Sequence, residues 1–432
     1  MNYDPRETLD KAPMGRLQML IIFIMFGLNG IDGFDVLSIS YASPGIAAEW
    51  NLDRAALGMI LPMELIGMAL GSILFGWIAD TLGRRSISLL CLVMMAFGML
   101  MTPTSASVAQ LSAWRVFTGF GLGGLLAAIN ALTAEYSCVR RRHLCVAIMS
   151  IGYPVGGILW GKLATWLLTQ YEWRSVFYLG FGVTALFIPV VYFLVPESPH
   201  WLVRKQPRAA LERVSRAMQR LGHPPVGALP EVSLEMRRKS MGDLFSPALL
   251  PITLIVTVAY FLQITSYYFI LKWVPKIVAD MGFSAASAGD VLVFANIGGA
   301  VGGATLGLLT LRFDLRKLTI AVMALGGVCI ALFGQMPADL TAMSAVAVLC
   351  GLFGNTAIVG MFALFAQAFP THVRASGTGF SVGIGRGGAI LSPIIAGFLF
   401  QWGFSLPAVS MIISTGAIAG AAVLCFLKLQ KA

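Results

Sequence analysis

Charge is scarce in this chain. Of its 432 residues only 12% are Asp, Glu, Lys or Arg, whereas 57% are hydrophobic; soluble globular proteins carry roughly twice that charge. With its long apolar runs, the sequence excludes an ordinary soluble domain and argues a polytopic membrane protein. Cysteine is sparse too: Cys91, Cys138, Cys145, Cys329, Cys350 and Cys425 lie in or beside apolar segments, and no CxxC pair occurs. Neither a disulfide framework nor a metal site is indicated, and the cysteines read as small packing residues. Alternating strands of about 10 residues are missing, which excludes a barrel and leaves helices. The GxG patterns have no preceding strand and no Walker lysine, so nucleotide binding has no support. The first 16 residues, "MNYDPRETLDKAPMGR", mix acid and base and lack a short apolar region with a cleavage site; a cytoplasmic tail is expected, not a signal peptide.

What charge there is has a pattern. The net charge is +10. Of the 30 Lys and Arg, 23 fall in the tails and alternate loops, three in the opposite loops and four within apolar runs. This is the positive-inside distribution; it explains the basic balance without a nucleic acid and places both termini in the cytoplasm. Twelve spans are expected, near 17–41, 55–79, 86–103, 111–135, 143–168, 174–195, 248–273, 287–310, 318–336, 340–369, 376–400 and 404–427. The organisation read from them is a first bundle of six helices with its tail (1–195), a basic cytoplasmic loop with an amphipathic helix (196–246), and a second bundle of six (247–432). "LIGMALGSILFG" (65–76) aligns with "NIGGAVGGATLG" (296–307) at an offset of 231, as in a carrier built from two repeats. At that offset Asp32 and Asp35 meet Gln263 and Ser266, so the acid pair belongs to the first half alone.

"GWIADTLGRRS" (76–86), with Gly76, Asp80, Gly83, Arg84 and Arg85, resembles the signature loop between spans 2 and 3 of the major facilitator superfamily. "RVFTGFGLGG" (115–124) is similar to its span-4 motif. Within that superfamily, "DGFD" in span 1, "EYSCVRRR" after span 4, "KWVPKIVADMGFS" at span 7 and "VRASGTGFSVGIGRGGAILSP" in span 11 resemble the aromatic acid:proton symporters. The resemblance implies an all-α protein of twelve transmembrane helices in two pseudo-symmetric six-helix bundles. It also implies import of a hydroxybenzoate- or benzoate-like carboxylate across a bacterial inner membrane. It assigns a conformational gate to the signature-loop residues, and coupling between proton and substrate sites to Arg115.

An ionised carboxylate at mid-membrane costs about 2.5–3.5 kcal/mol even on lenient scales. Asp32 and Asp35 are three residues apart and share a helix face. Two carboxylates so close in low dielectric disfavour double ionisation, which suits a proton acceptor; the alternative is a static pair neutralised by a cation of another span. Arg115 joins this proton-coupling set or is simply that ion-pair partner. Glu135, also assigned to coupling, lies at the inner end of span 4, where Arg84 or Arg85 could pair with it; Arg142 and Arg374 extend the gate. Arg386 is the first choice for the substrate carboxylate, since guanidinium grips carboxylate bidentately, or else it is the counter-ion of Asp32 or Asp35. Lys272 is either a second cation of the cavity or a lysine snorkelling to the outer interface. Phe34, Tyr153 and Tyr267 offer stacking surfaces; Gln263 and Asn296 offer hydrogen bonds to ring hydroxyls.

The expected activity is non-enzymatic: proton symport of an aromatic carboxylate by alternating access, without cofactor or metal, in a monomer surrounded by lipid. The alternatives are a carrier of a non-aromatic organic acid, such as a dicarboxylate or sugar acid, and a proton antiporter exporting an organic anion.

Overall fold

The computed structural model describes residues 3–230, 244–247, 249–310, 312–370 and 373–427. Twelve of the described helices are long and apolar enough to cross a membrane, and no strand occurs among the described residues. In the first half they are span 1 (Arg16–Trp50), span 2 (two pieces, Arg54–Ile60 and Met63–Leu82), span 3 (Arg84–Met101), span 4 (Val108–Tyr136), span 5 (Arg142–Gln170) and span 6 (Arg174–Leu194). In the second half they are span 7 (Leu250–Asp280), span 8 (Ala285–Leu309), span 9 (Leu315–Phe333), span 10 (Leu340–Ala368), span 11 (Arg374–Gln401) and span 12 (Leu406–Leu424). The short polar residues between the runs are the helix caps. Asp53, Ser107, Ser284, Asp314 and Asp339 each accept a hydrogen bond from a backbone N–H of the first turn that follows, the usual way to satisfy donors that have no intrahelical partner.

Several boundaries differ from the sequence expectation; span 7, for one, runs to Asp280 instead of ending near 273. Span 1 runs 35 residues, through Pro44, instead of ending near 41. Proline leaves the carbonyl four residues earlier without its donor; here the Ser43 hydroxyl donates to that carbonyl, on Ser40, at 2.8 Å. Span 2 instead breaks at Leu61–Pro62. The amphipathic stretch of the central loop forms one helix, Ala210–Arg220, and a shorter helix, Pro199–Lys205, precedes it; residues 231–243 of that loop lie outside the described residues.

The sequence repeat has a packing counterpart. A Cβ on Gly67 or Gly71 of span 2 would overlap the carbonyl oxygens of Val116 and Phe120 on span 4. At the same offset, a Cβ on Gly298 or Gly302 of span 8 would overlap those of Val348 and Leu352 on span 10. Each half therefore crosses its second and fourth helices backbone to backbone, a geometry open only to very small residues.

In space the described contacts group into two units that cut across the chain order. One comprises 1–36, 66–156 and 177–236; the other comprises 37–65, 157–176 and 237–432. The second unit thus contains the parts of spans 1, 2 and 5 next to the loops that follow odd-numbered spans, packed with the second-half helices. We call that side the odd-loop end, and the other the even-loop end.

Candidate transport site

In the first unit, Asp35 and Arg115 are both completely buried. Arg115 Nη1 donates to Asp35 Oδ1 at 3.3 Å and Nη2 to the Asp35 carbonyl at 2.9 Å. The guanidinium also stands over the Phe177 ring, 5.4 Å from its centroid. Asp32, one turn earlier, is 2% exposed. The helix is held there from span 5: Asn29 Nδ2 donates to the Met149 carbonyl at 2.9 Å, and a Cβ on Gly33 would overlap the Tyr153 carbonyl. Gly33 is what lets span 5 approach the acid pair. Phe34 is buried and Tyr153 partly so. A buried ion pair is costly to form and costlier to break, so this cluster carries strong electrostatic constraint.

Glu135 sits elsewhere. It is 20 residues beyond Arg115 on the same helix, about 30 Å along its axis, and pairs with Arg84 at 3.3 Å. Around it the even-loop end forms a network. Glu197 Oε1 accepts the backbone N–H groups of Arg84 (2.9 Å), Arg85 (3.1 Å) and Ser198 (3.1 Å), placing a carboxylate on the N-terminus of span 3, where the helix dipole favours it. Burial pushes the Glu197 carboxyl up, while these N–H groups pull it down. Gly83 makes the arrangement possible: its φ is +103°, and a Cβ there would overlap Glu197 Oε2. Arg85 donates to the Tyr192 carbonyl at 2.6 Å, and Arg142 pairs with Asp10 of the short amino-terminal helix Pro5–Lys11 at 2.6 Å. Burial holds the neighbouring His200 toward its neutral form. Gly76 has open space around it, Arg374 is exposed, and the side chain of Asp80 lies outside the described residues. Glu197 was missed because the donors it binds are backbone N–H groups; "VPESP", an acid directly after a span, was the available signal.

In the second unit Gln263 is 1% exposed. Its Nε2 donates to the Gly354 carbonyl at 3.4 Å, and its Oε1 has no hydrogen-bond partner among the described residues. Tyr267, one turn on, packs its ring face against Gly354. Arg386 is partly exposed, on a helix whose neighbouring Gly388 lies against span 7: a Cβ there would stand 2.6 Å from the Phe261 carbonyl. Lys272 is fully buried, which removes the snorkelling reading. Asn296 is committed to a crossing with span 5: its Nδ2 donates to the Leu292 carbonyl, and a Cβ on Gly157 would stand 2.8 Å from its Oδ1.

That crossing belongs to a seam of polar and close backbone contacts at the odd-loop end. Lys162 of span 5 pairs with Asp290 of span 8 at 2.8 Å, and Thr165 donates to the same carboxylate at 2.8 Å. The Tyr41 hydroxyl donates to the Gly157 carbonyl at 3.2 Å. On the neighbouring seam, a Cβ on Gly58 of span 2 would stand 2.7 Å from the Pro393 carbonyl of span 11, and Arg54 pairs with Asp280 of span 7 at 3.2 Å. Asp290 was passed over because it falls close to the expected start of span 8; an acid inside an apolar run was the signal.

A twelve-helix chain with repeated halves and a buried ion pair points to the class: a multi-pass membrane carrier. The chain belongs to the Major Facilitator Superfamily, which it matches over residues 19–275 and 254–432. It is 29% identical over 421 residues to the gallate transporter of Pseudomonas putida, covering 97% of this chain and 93% of that protein. It is 29% identical over 431 residues to the 4-hydroxybenzoate transporter PcaK of Acinetobacter baylyi, with coverage of 97% and 93%. The solved D-xylose–proton symporter shares the fold, with a TM-score of 0.73 at 16% identity over 94% of this chain and 97% of that one. The sequence-level resemblance to aromatic acid carriers extends along nearly the whole chain.

Proposed function

We propose that the protein imports an aromatic carboxylate together with a proton, by alternating access, across a bacterial inner membrane with both termini inside. The observation that carries the coupling is the fully buried Asp35–Arg115 pair with Asp32 one turn away. The proton is assigned to Asp32, because protonating Asp35 would strand the buried Arg115 guanidinium. Protonation of Asp32 removes a buried negative charge, and an anionic substrate can then enter without raising the net charge of the interior. Arg386 is assigned the substrate carboxylate, with Lys272, Gln263 and Tyr267 of the same unit shaping the site; Phe34 and Tyr153 belong to the surroundings of the acid pair. Gln263 supports a hydroxylated ring: its buried Oε1 can accept a hydrogen bond that no described residue supplies, and an unmet buried acceptor is costly. Even-loop contacts (Arg84–Glu135, Glu197 on span 3) and odd-loop contacts (Lys162–Asp290, Arg54–Asp280) are assigned to the two gates. The relatives that transport gallate and 4-hydroxybenzoate support the substrate class.

Uptake by purified protein in liposomes, with the outside more acidic, tests the class. Hydroxybenzoates are expected to enter, benzoate more weakly, and muconate and gluconate not at all. Entry of an aliphatic acid with exclusion of every aromatic one would overturn the proposal.

A further inference from the structure

The odd-loop end holds a cavity of about 210 Å³ beside the Arg54–Asp280 contact. Its cation is Arg54, 44% exposed at its side chain. Its apolar wall is Trp273, Ile277 and Phe400, the two rings 5.1 Å apart between centroids. Arg54 lies over the Phe400 ring, 5.0 Å from the centroid, a cation–π contact on a group that carries five N–H donors. Only one guanidinium nitrogen is engaged by Asp280, at 3.2 Å, and Asp280 has a second partner in Lys276. A cavity that pairs one guanidinium with aromatic and aliphatic walls has the chemistry to hold a planar aromatic carboxylate. An arriving carboxylate can take the Arg54 edge bidentately, and Asp280 stays neutralised by Lys276.

The geometry points to an entry subsite: a vestibule on the odd-loop gate that captures the aromatic carboxylate at Arg54 before the gate opens. Capture there exchanges one carboxylate for another on Arg54, and so loosens the Arg54–Asp280 tie between spans 2 and 7. The inference rests on the aromatic carboxylate reading, and the test separates the two.

Purified protein in liposomes is photolabelled with 4-azidobenzoate, and the labelled peptides are identified by mass spectrometry. Saturable labelling within 273–281 or 400–406 is expected, competed by benzoate and not by neutral benzamide. Arg54→Gln is expected to reduce that labelling at least tenfold. Arg54→Lys, which keeps the charge and controls for folding, retains part of it. Asp280→Asn, which frees the guanidinium, increases it severalfold. Saturable labelling confined to other helices, or labelling of these peptides unchanged in Arg54→Gln, would overturn the vestibule and leave the transport proposal standing. If no benzoate-competed labelling appeared anywhere and benzoate did not compete for uptake, both would fall.

Discussion

Asp35→Asn is expected to abolish accumulation of the aromatic anion and to lower the melting temperature of the purified protein. Arg115 is completely buried and donates to both the carboxylate and the carbonyl of Asp35. Removing the carboxylate's charge strands a guanidinium in low dielectric, a loss of about 3–5 kcal/mol. The loss is specific to breaking the pair. The double variant Asp35→Asn/Arg115→Gln removes both charges and is expected to recover most of the melting temperature without recovering uptake. Asp32→Asn should behave in the opposite sense: its fold survives and exchange of labelled for unlabelled substrate continues, while acid-driven accumulation falls at least a hundredfold. Thermal unfolding in detergent, set beside counterflow and gradient-driven uptake, separates the three outcomes. Full accumulation by Asp35→Asn would remove the ion pair from the mechanism.

The second large effect is expected from a wedge. Gly33 and Gly157 both sit at close crossings, yet the crossings differ in kind. A side chain on Gly33 collides with the span 5 backbone at Tyr153, inside the first half, where no transport step is expected to separate the helices. Gly33→Leu is therefore expected to prevent folding. A side chain on Gly157 meets Asn296 of span 8 at 2.8 Å, across the seam that joins the two halves at the odd-loop end. In Gly157→Leu the halves can part there, so the protein is expected to fold and insert but to lose uptake at least a hundredfold, held with that gate open. A cysteine placed at Ala164, buried on span 5, would react with a membrane-impermeant maleimide severalfold faster in the Gly157→Leu background. Unchanged reactivity together with normal uptake would mean that this seam does not open during transport.

Much of this was legible in the sequence for one physical reason: the membrane makes length and hydropathy decisive. Twelve runs became twelve helices, and the 231-residue offset became the same span 2–4 and 8–10 crossing in each half. Intramembrane charge was equally readable, since Asp32, Asp35, Arg115 and Lys272 stand out in apolar runs. Their partners did not. Nothing local joins Asp35 to Arg115, 80 residues on, or Lys162 to Asp290, 128 residues on; pairing is a property of helix packing. The end of span 1 was not legible: Ser43 satisfies the carbonyl that Pro44 frees, and the helix continues. Lys272 was ambiguous because a long stem near a span end can snorkel or be buried, and only its surroundings decide. Glu197 was hidden by a different cause: it binds backbone N–H groups of Arg84 and Arg85, and backbone donors leave no trace in composition.

The central proposal is that anion and proton cross together, and the proton can be counted. Proteoliposomes loaded with a pH-sensitive dye and no internal substrate are given 4-hydroxybenzoate outside, with the membrane potential clamped. The expected result is acidification of the lumen that tracks substrate entry in wild-type protein and is lost in Asp32→Asn. Substrate entry into wild-type liposomes with no accompanying proton would contradict it.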